Sequence, residues 1–324
     1  MRFELTDEQR GFASSLGDLL ASADVVASTR AWADDDTSAG LALWKRLADQ
    51  GVAALVVPEE SGGLGGSPVD LVVAFEQLGR FAVPGPWVES AAYLPTLLVD
   101  AGPDVVASLA EGALGSVSVA FHASHALDAD VASHVYAIDG SARPATAGAR
   151  TRSVDPARRL FTLEPGAEAV EIGGDRLDRA FDLAALACSA QLLGLGEHLL
   201  STTVDYVKQR SQFGRPIGSY QALKHRLADV RIALDFARPL VLGAAATFER
   251  PTRARSVSAA KVGAGDAAYA AARAGLQLHG AIGYTAEHDL SLWLLKVRAL
   301  QGAWGTASFH RGRILESLTG EDRG

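Results

Sequence analysis

The chain has 324 residues, 48% hydrophobic and 21% charged, and 30 Lys and Arg against 38 Asp and Glu give a net charge of −8. Disorder is excluded for most of the length, and there is room for a sizeable core in two or three domains. A mildly acidic chain has no global basic field for nucleic acid or an anionic membrane, so neither is an expected partner.

Residues 3–112 read mainly as helix. Thr6 followed by Gln9 forms a capping-box pattern, and Phe12, Leu16, Leu19 and Leu20 follow at helical spacing. Asp34-Asp35-Asp36-Thr37-Ser38 is a polar loop. The next helix starts about Leu43 and ends near Gly51. Val52 to Val57 is a short apolar run closed by Pro58. A turn with four glycines between Pro58 and Ser67 precedes a helix over Pro68–Arg80, which Pro84-Gly85-Pro86 breaks.

The middle, 113–178, changes character. Gly115 to His122, Val131 to Asp139, Phe161-Thr162-Leu163 and Ala169-Val170-Glu171-Ile172 read as short strands. Asp139-Gly140, Pro165-Gly166 and Gly173-Gly174 supply the turns between them. From 179 onward the pattern is helical again, over 179–212, 219–248, 254–280 and 286–301, with a shorter segment over about 304–318. Short connections favour antiparallel neighbours. The expected class is α+β, mainly α. It comprises an N-terminal helical domain over 1–112, a reduced β-domain over 113–178 and a C-terminal antiparallel helical bundle over 179–324.

Three bounds on function come from single residues and segments. The one cysteine, Cys188, excludes an intramolecular disulfide framework and a cysteine-rich metal site. The start, Met1-Arg2-Phe3-Glu4-Leu5-Thr6-Asp7, lacks a signal-peptide pattern. Leu183 to Leu200 is the longest apolar stretch, but it holds Gln191, Glu197 and His198 and reads as a buried helix rather than a membrane span. The expected location is the cytoplasm. His122, His125 and His134 lack the spacing and acidic company of a metal site, so no metal is expected.

The sharpest motif is Arg210-Ser211-Gln212-Phe213-Gly214-Arg215-Pro216-Ile217-Gly218, between two predicted helices. Gln221, Lys224-His225 and Leu227-Ala228-Asp229 follow it. Farther on stands Gln277-Leu278-His279-Gly280-Ala281-Ile282-Gly283-Tyr284-Thr285. Near the N-terminus, Pro58-Glu59-Glu60-Ser61-Gly62-Gly63-Leu64-Gly65 and Glu76-Gln77-Leu78-Gly79-Arg80 complete the set. Together these segments resemble the acyl-CoA dehydrogenase family, over both helical regions.

The resemblance implies FAD and α,β-dehydrogenation of an acyl-CoA thioester, in which a carboxylate removes the α-proton and a hydride leaves the β-carbon. In that family each FAD spans two subunits. The flavin ring lies on one chain's β-domain, and the neighbour's C-terminal bundle clamps the pyrophosphate and adenine. Carried onto this chain, Arg210 would pair with the pyrophosphate and Phe213 would pack against the adenosine end. Gln212, Gln221 and Gln277 would offer amides. Gly280, Ala281 and Gly283 would bring backbone close to the phosphates, with Ala281 standing where the family usually has glycine. Thr306 belongs to a retained Gly-Thr pair.

The departures from the family pattern are informative. The strand at 115–124 lacks the family's flavin-holding sequence, and no tryptophan occurs between Trp87 and Trp293. The stretch Gln301-Gly302-Ala303-Trp304-Gly305-Thr306 keeps Gly-Thr but has no Glu, where one family position of the base falls. The alternative position falls on Ala184, and Asp182 is the nearest carboxylate. Asp182 is thus a weak base candidate that also reads as a helix N-cap. Glu197-His198 reads as a helix face or an intersubunit hydrogen bond.

The resemblance extends to short chains of the family that pair with a longer homologue in heterotetramers carrying half the usual flavins, some acting on bulky steroid acyl-CoA thioesters. The expected role is such a short subunit, contributing the FAD clamp in trans to a longer partner. Two alternatives stay open: a self-sufficient homo-oligomeric dehydrogenase with Asp182 or another carboxylate as base, and a non-catalytic scaffold.

Overall fold

A computed structural model describes residues 4–120 and 122–321. Residues 1–3, Phe121 and residues 322–324 fall outside the described residues, and with them the outer bounds of the first and last expected domains and one position of the expected strand at 115–122.

The N-terminal part is built from α1 (Asp7–Ser22), α2 (Val25–Ala33), α3 (Ser38–Asp49) and α4 (Pro68–Arg80), then a π-helical turn (Glu89–Tyr93) running into α5 (Leu94–Leu98), and α6 (Pro103–Ala110). The capping box forms: the Gln9 N–H donates to Thr6 Oγ1 at 3.2 Å and the Thr6 N–H to Gln9 Oε1 at 3.1 Å. Asp24 caps α2 through the Ala27 N–H, a break that the run of apolar residues concealed. The helix over Pro68–Arg80 has the expected bounds, fixed by a capping box between Ser67 and Asp70 and by Pro68 in the first turn. Val52–Val57 is a series of buried turns rather than a regular element.

The middle holds β1 (Gly115–Val119), β2 (Ala126–Leu127), β3 (His134–Ile138), β4 (Ser141–Thr151), β5 (Leu160–Pro165) and β6 (Val170–Glu171). The strand order is β1-β3-β4-β5-β2, with β6 also on β4. β1 pairs parallel with β3, Val117 opposite Tyr136, and the other pairings are antiparallel. The expected Asp139-Gly140 turn joins β3 to β4. β4 itself was not expected. Its sequence, Ser-Ala-Arg-Pro-Ala-Thr-Ala-Gly-Ala-Arg-Thr, has low strand propensity, and pairing with β3, β5 and β6 overrides that preference.

The C-terminal part contains α7 (Gly174–Gln209), a hairpin of β7 (Ser211–Gln212) and β8 (Arg215–Pro216), α8 (Gln221–Ala246), α9 (Arg253–His279), α10 (Leu290–Gly302) and α11 (Ala307–Glu321). Among the described residues α7 is the one helix long and apolar enough to cross a membrane, and 89% of that apolar stretch is buried inside this fold. It packs on α4, α8, α9 and α10. Two glycines let α4 and α7 touch: a Cβ on Gly79 would sit 2.1 Å from the Gln191 carbonyl oxygen, and one on Gly194 2.0 Å from that of Glu76. Because α7 begins at Gly174, Asp182 lies well inside the helix, and the N-cap reading is corrected. Glu197 and His198 find partners within the chain. Arg231 grips both Glu197 oxygens at 2.6 and 2.8 Å, and His198 stacks on Trp293 at 3.9 Å.

Candidate FAD clamp and the residues around it

The sequence between α7 and α8 forces a sharp turn. Arg210 leaves the helix in an extended conformation, and Ser211–Gln212 pairs with Arg215–Pro216. The two loop residues between them, Phe213 and Gly214, have φ values of 54° and 78°. Positive φ at both central positions is the geometry of a type I′ hairpin, natural for glycine and costly for phenylalanine. Ile217 closes the turn by donating its N–H to the Arg210 carbonyl at 2.8 Å. A small cluster of Val207, Ile217 and Leu278 supports it from below. Arg215 lies 4.1 Å over the Tyr220 ring, which fixes the second strand.

The result is an aromatic side chain held out into solvent. Phe213 is 91% exposed. Beside it, the exposed Arg210 side chain makes no hydrogen bond or ion pair among the described residues. These residues line a cleft of about 730 Å³ with Gln212, Gln277, Gly280 and Ala281. Gly280, with φ 65° and ψ −140°, ends α9, and the space where its Cβ would stand is open. Tyr206 and His279 form the floor, their rings stacked at 4.1 Å. Burial pulls His279 below the ordinary imidazole range, so the ring is neutral, and the contact of Nδ1 with the Gly275 carbonyl at 2.8 Å places its proton on Nδ1. The Gln277 Oε1 accepts from Arg226, which leaves the amide N–H groups to face outward.

Six of the expected clamp residues are therefore brought together: Arg210, Gln212, Phe213, Gln277, Gly280 and Ala281. Gln221 begins α8 next to Ala222, which also lines the cleft. Gly283 is buried instead, and a Cβ there would meet the Leu276 carbonyl oxygen at 3.1 Å, so its smallness serves the turn after α9. Thr306 stands elsewhere. Its Oγ1 accepts from the Phe309 N–H at 3.3 Å at the start of α11, and the adjoining His310 contacts Ser258 near the opposite end of α9. With 27 residues in α9, those two ends are separated by about 40 Å of helix.

A clamp of this kind suits the pyrophosphate and adenine half of FAD. A free planar guanidinium can bind two phosphate oxygens, an exposed ring offers a stacking face, and outward amides supply hydrogen bonds. The stretch from Gln301 to Thr306, where the resemblance places one family position of the base, is a tightly held loop without a carboxylate. Trp304 precedes Gly305, is 1% exposed and has a φ of 55°. Lys261 ties the loop down by donating to the carbonyls of Leu300 at 3.0 Å, Gln301 at 3.4 Å and Gly305 at 3.5 Å. Asp182 is fully buried, with Oδ2 accepting from Arg253 Nε at 2.8 Å and Oδ1 from Arg313 Nη1 at 2.7 Å. Both oxygens are thus committed to a triad joining α7, α9 and α11.

The expected histidines are dispersed. His122 packs against Phe181 and Phe309, the His125 ring bonds to Ser124, and the His134 ring bonds to Ser108. Sequence reasoning missed Glu89, a fully buried carboxyl in the π-helical turn. Its signal was available as a lone charge inside the apolar run Trp87 to Leu98.

Helical ends around a middle sheet, closed by a C-terminal bundle, are the architecture of an acyl-CoA dehydrogenase. The family models agree: "Acyl-CoA dehydrogenase, N-terminal domain" matches residues 6–105, and "Acyl-CoA dehydrogenase, C-terminal domain" matches residues 173–319. The chain belongs to the acyl-CoA dehydrogenase family, FAD-dependent oxidoreductases acting on acyl-CoA thioesters. It is 36% identical over 300 residues to acyl-CoA dehydrogenase IpdE2 of Mycobacterium tuberculosis, covering 89% of this chain and 90% of that protein. The IpdE2 protein of Mycolicibacterium smegmatis is 38% identical over 256 residues, 78% of this chain and 79% of its own length. Among solved structures, the ChsE4–ChsE5 complex of Mycobacterium tuberculosis superposes with a TM-score of 0.84 at 21% identity, covering 98% of this chain and 99% of that one. A Tcur3481–Tcur3483 steroid acyl-CoA dehydrogenase variant gives a TM-score of 0.84 at 22% identity, with 98% and 99% coverage. At such identities the structures establish the fold.

Proposed function

We propose that this chain is the clamp-contributing subunit of a hetero-oligomeric acyl-CoA dehydrogenase. It contributes Arg210, Phe213 and the neighbouring amides in trans to an FAD whose ring end and catalytic base belong to a longer homologue. The reaction is α,β-dehydrogenation of a bulky acyl-CoA thioester, with a steroid-derived acyl group as the favoured class. One observation carries the reading: among the described residues, the cleft at Phe213 is lined by residues between 206 and 281, with none from the middle sheet. A clamp on one face of the bundle, pointing outward and remote from the chain's own Trp304 loop, suits a cofactor seated on another subunit.

When bound, FAD accepts the hydride that leaves the β-carbon. This chain's residues hold and orient: Arg210 neutralises the pyrophosphate, Phe213 covers the adenosine end, and Gln212, Gln221 and Gln277 donate or accept at the polar rim. The paired names of the ChsE4–ChsE5 and Tcur3481–Tcur3483 structures, and the word steroid in the second, support a two-chain assembly and a bulky substrate.

The domain bounds 1–112, 113–178 and 179–324 belong to the same proposal. Flavin stoichiometry tests it. The chain produced alone should be flavin-poor and inactive on acyl-CoA, whereas co-production with a longer homologue from the same source should give a yellow, active complex. A homogeneous sample of this chain alone, with one FAD per protomer and full activity, overturns the proposal. In the complex, Arg210→Ala should lower flavin content at least tenfold with assembly intact, as expected for loss of a charge-assisted bidentate contact worth about 1.5–3 kcal/mol.

A further inference from the structure

A groove of about 450 Å³ lies between α9 and α10. Gln277 lines both this groove and the cleft at Phe213, so the groove continues the surface of the clamp. Its floor is apolar. Leu276 on α9 and Leu295 on α10 line it, are half-buried, and pack against none of the buried hydrophobic clusters among the described residues. Tyr269 and Tyr284 stand at its rim, exposed to 38% and 75%.

The walls carry charge of one sign. Arg273 and Arg298 both line the groove and both are exposed, and among the described residues no carboxylate lines it. Arg273 makes no hydrogen bond or ion pair among the described residues and sits 5.9 Å over the Tyr269 ring. Arg298 donates to the neutral Gln301 side chain at 3.2 Å. Asp266, two turns earlier on α9, is taken by Arg311 at 3.0 Å. In a chain of net charge −8, two uncompensated guanidinium groups beside an apolar floor invert the charge locally. Tyrosine and arginine around exposed leucine are the composition of an anchoring centre between proteins.

A second copy of this chain fits the groove poorly. Set groove to groove about a two-fold axis, it brings guanidinium groups toward guanidinium groups with no carboxylate between them. Set against another face, it makes a head-to-tail contact that does not close a two-chain dimer. A different chain seated over the clamp meets the groove next, because the two spaces share Gln277.

We propose that this groove selects the longer subunit. It takes an apolar side chain of that subunit between Leu276 and Leu295, with carboxylates of the same segment on Arg273 and Arg298. The proposal rests on the two-chain reading above and adds the chemistry by which the partner is told from a second copy.

Sedimentation and flavin absorbance of the complex with the longer homologue from the same source test it. The double variant Arg273→Glu/Arg298→Glu should weaken the heteromer about tenfold or more, and so should Leu295→Asp. Thermal melting of the chain alone should be unchanged by the exposed arginine reversals. Raising NaCl from about 50 to about 500 mM should loosen the wild-type heteromer, and the loosening should be smaller in Arg273→Gln/Arg298→Gln. Should Leu295→Asp fail to fold, the arginine variants and the salt series still decide. An unchanged heteromer in folded Arg273→Glu/Arg298→Glu overturns the groove, and the clamp stands if Arg210→Ala still lowers flavin content. A heteromer that the groove variants weaken but that keeps its flavin in Arg210→Ala overturns the clamp and supports the groove. Absence of any heteromer overturns both. A dimer of this chain alone that Leu295→Asp dissolves gives the groove to a second copy and overturns the proposal.

Discussion

Phe213 shows what the residue scale can and cannot reveal in a sequence. The run Arg210 to Gly218 marks the segment, but nothing in the letters says that Phe213 occupies positive φ at a hairpin tip. That follows from strand pairing of Ser211 and Gln212 with Arg215 and Pro216, which leaves two residues for the loop. A side chain in this region costs about 1–2 kcal/mol, and this strained aromatic is aimed at solvent. Phe213→Gly should therefore raise stability by up to about 1 kcal/mol, the relief being partly offset by glycine's entropy, while flavin content of the complex falls. Thermal melting and flavin absorbance measure the two sides. An unchanged flavin content would remove Phe213 from the clamp.

Elements are joined by contacts that sequence patterns show poorly. The long helical segments were legible because their apolar periodicity and terminal glycines are strong, and α4 kept its expected bounds. β4 was not, since its small residues carry no alternation and only its neighbours make it a strand. The Asp182 triad was hidden for a related reason: Arg253 and Arg313 are far away in sequence and meet it only when α7, α9 and α11 pack. Removing the carboxylate leaves two guanidinium groups facing a buried site. Asp182→Asn should cost about 3 kcal/mol, toward the lower end for a broken buried pair because both arginines keep some solvent. Chemical denaturation measures the loss, and activity per folded complex should be unchanged. Loss of turnover with full stability would instead reinstate Asp182 as a base.

At the scale of the whole molecule, the N-terminal helices, the sheet and α10 meet over buried charge. Trp32 on α2 donates its indole N–H to Asp128 Oδ1 at 2.8 Å, and Lys296 on α10 donates to the Val83 carbonyl at 2.7 Å. Burial pushes Asp128 up from 3.8 to about 7, against the pull of Trp32, Arg159 and Arg158. Burial brings Lys296 down from 10.5 to about 8, despite the attraction of Asp155 and Asp128. The signs differ from those of an ordinary surface pair. Between pH 3.8 and about 7 the folded Asp128 holds a proton that the unfolded chain has released, so its contribution to stability falls as pH rises through that window. Between about 8 and 10.5 the unfolded Lys296 holds a proton that the folded one lacks, so its contribution rises with pH. The two together place a stability trough near neutrality at the junction. Asp128→Asn keeps the shape and removes the lower slope. The difference in unfolding free energy between the wild-type chain and Asp128→Asn should therefore decline from pH 4 to pH 7 and then level off. A difference independent of pH across that range would show that Asp128 is ionised throughout, held by Arg159 as a fixed ion pair.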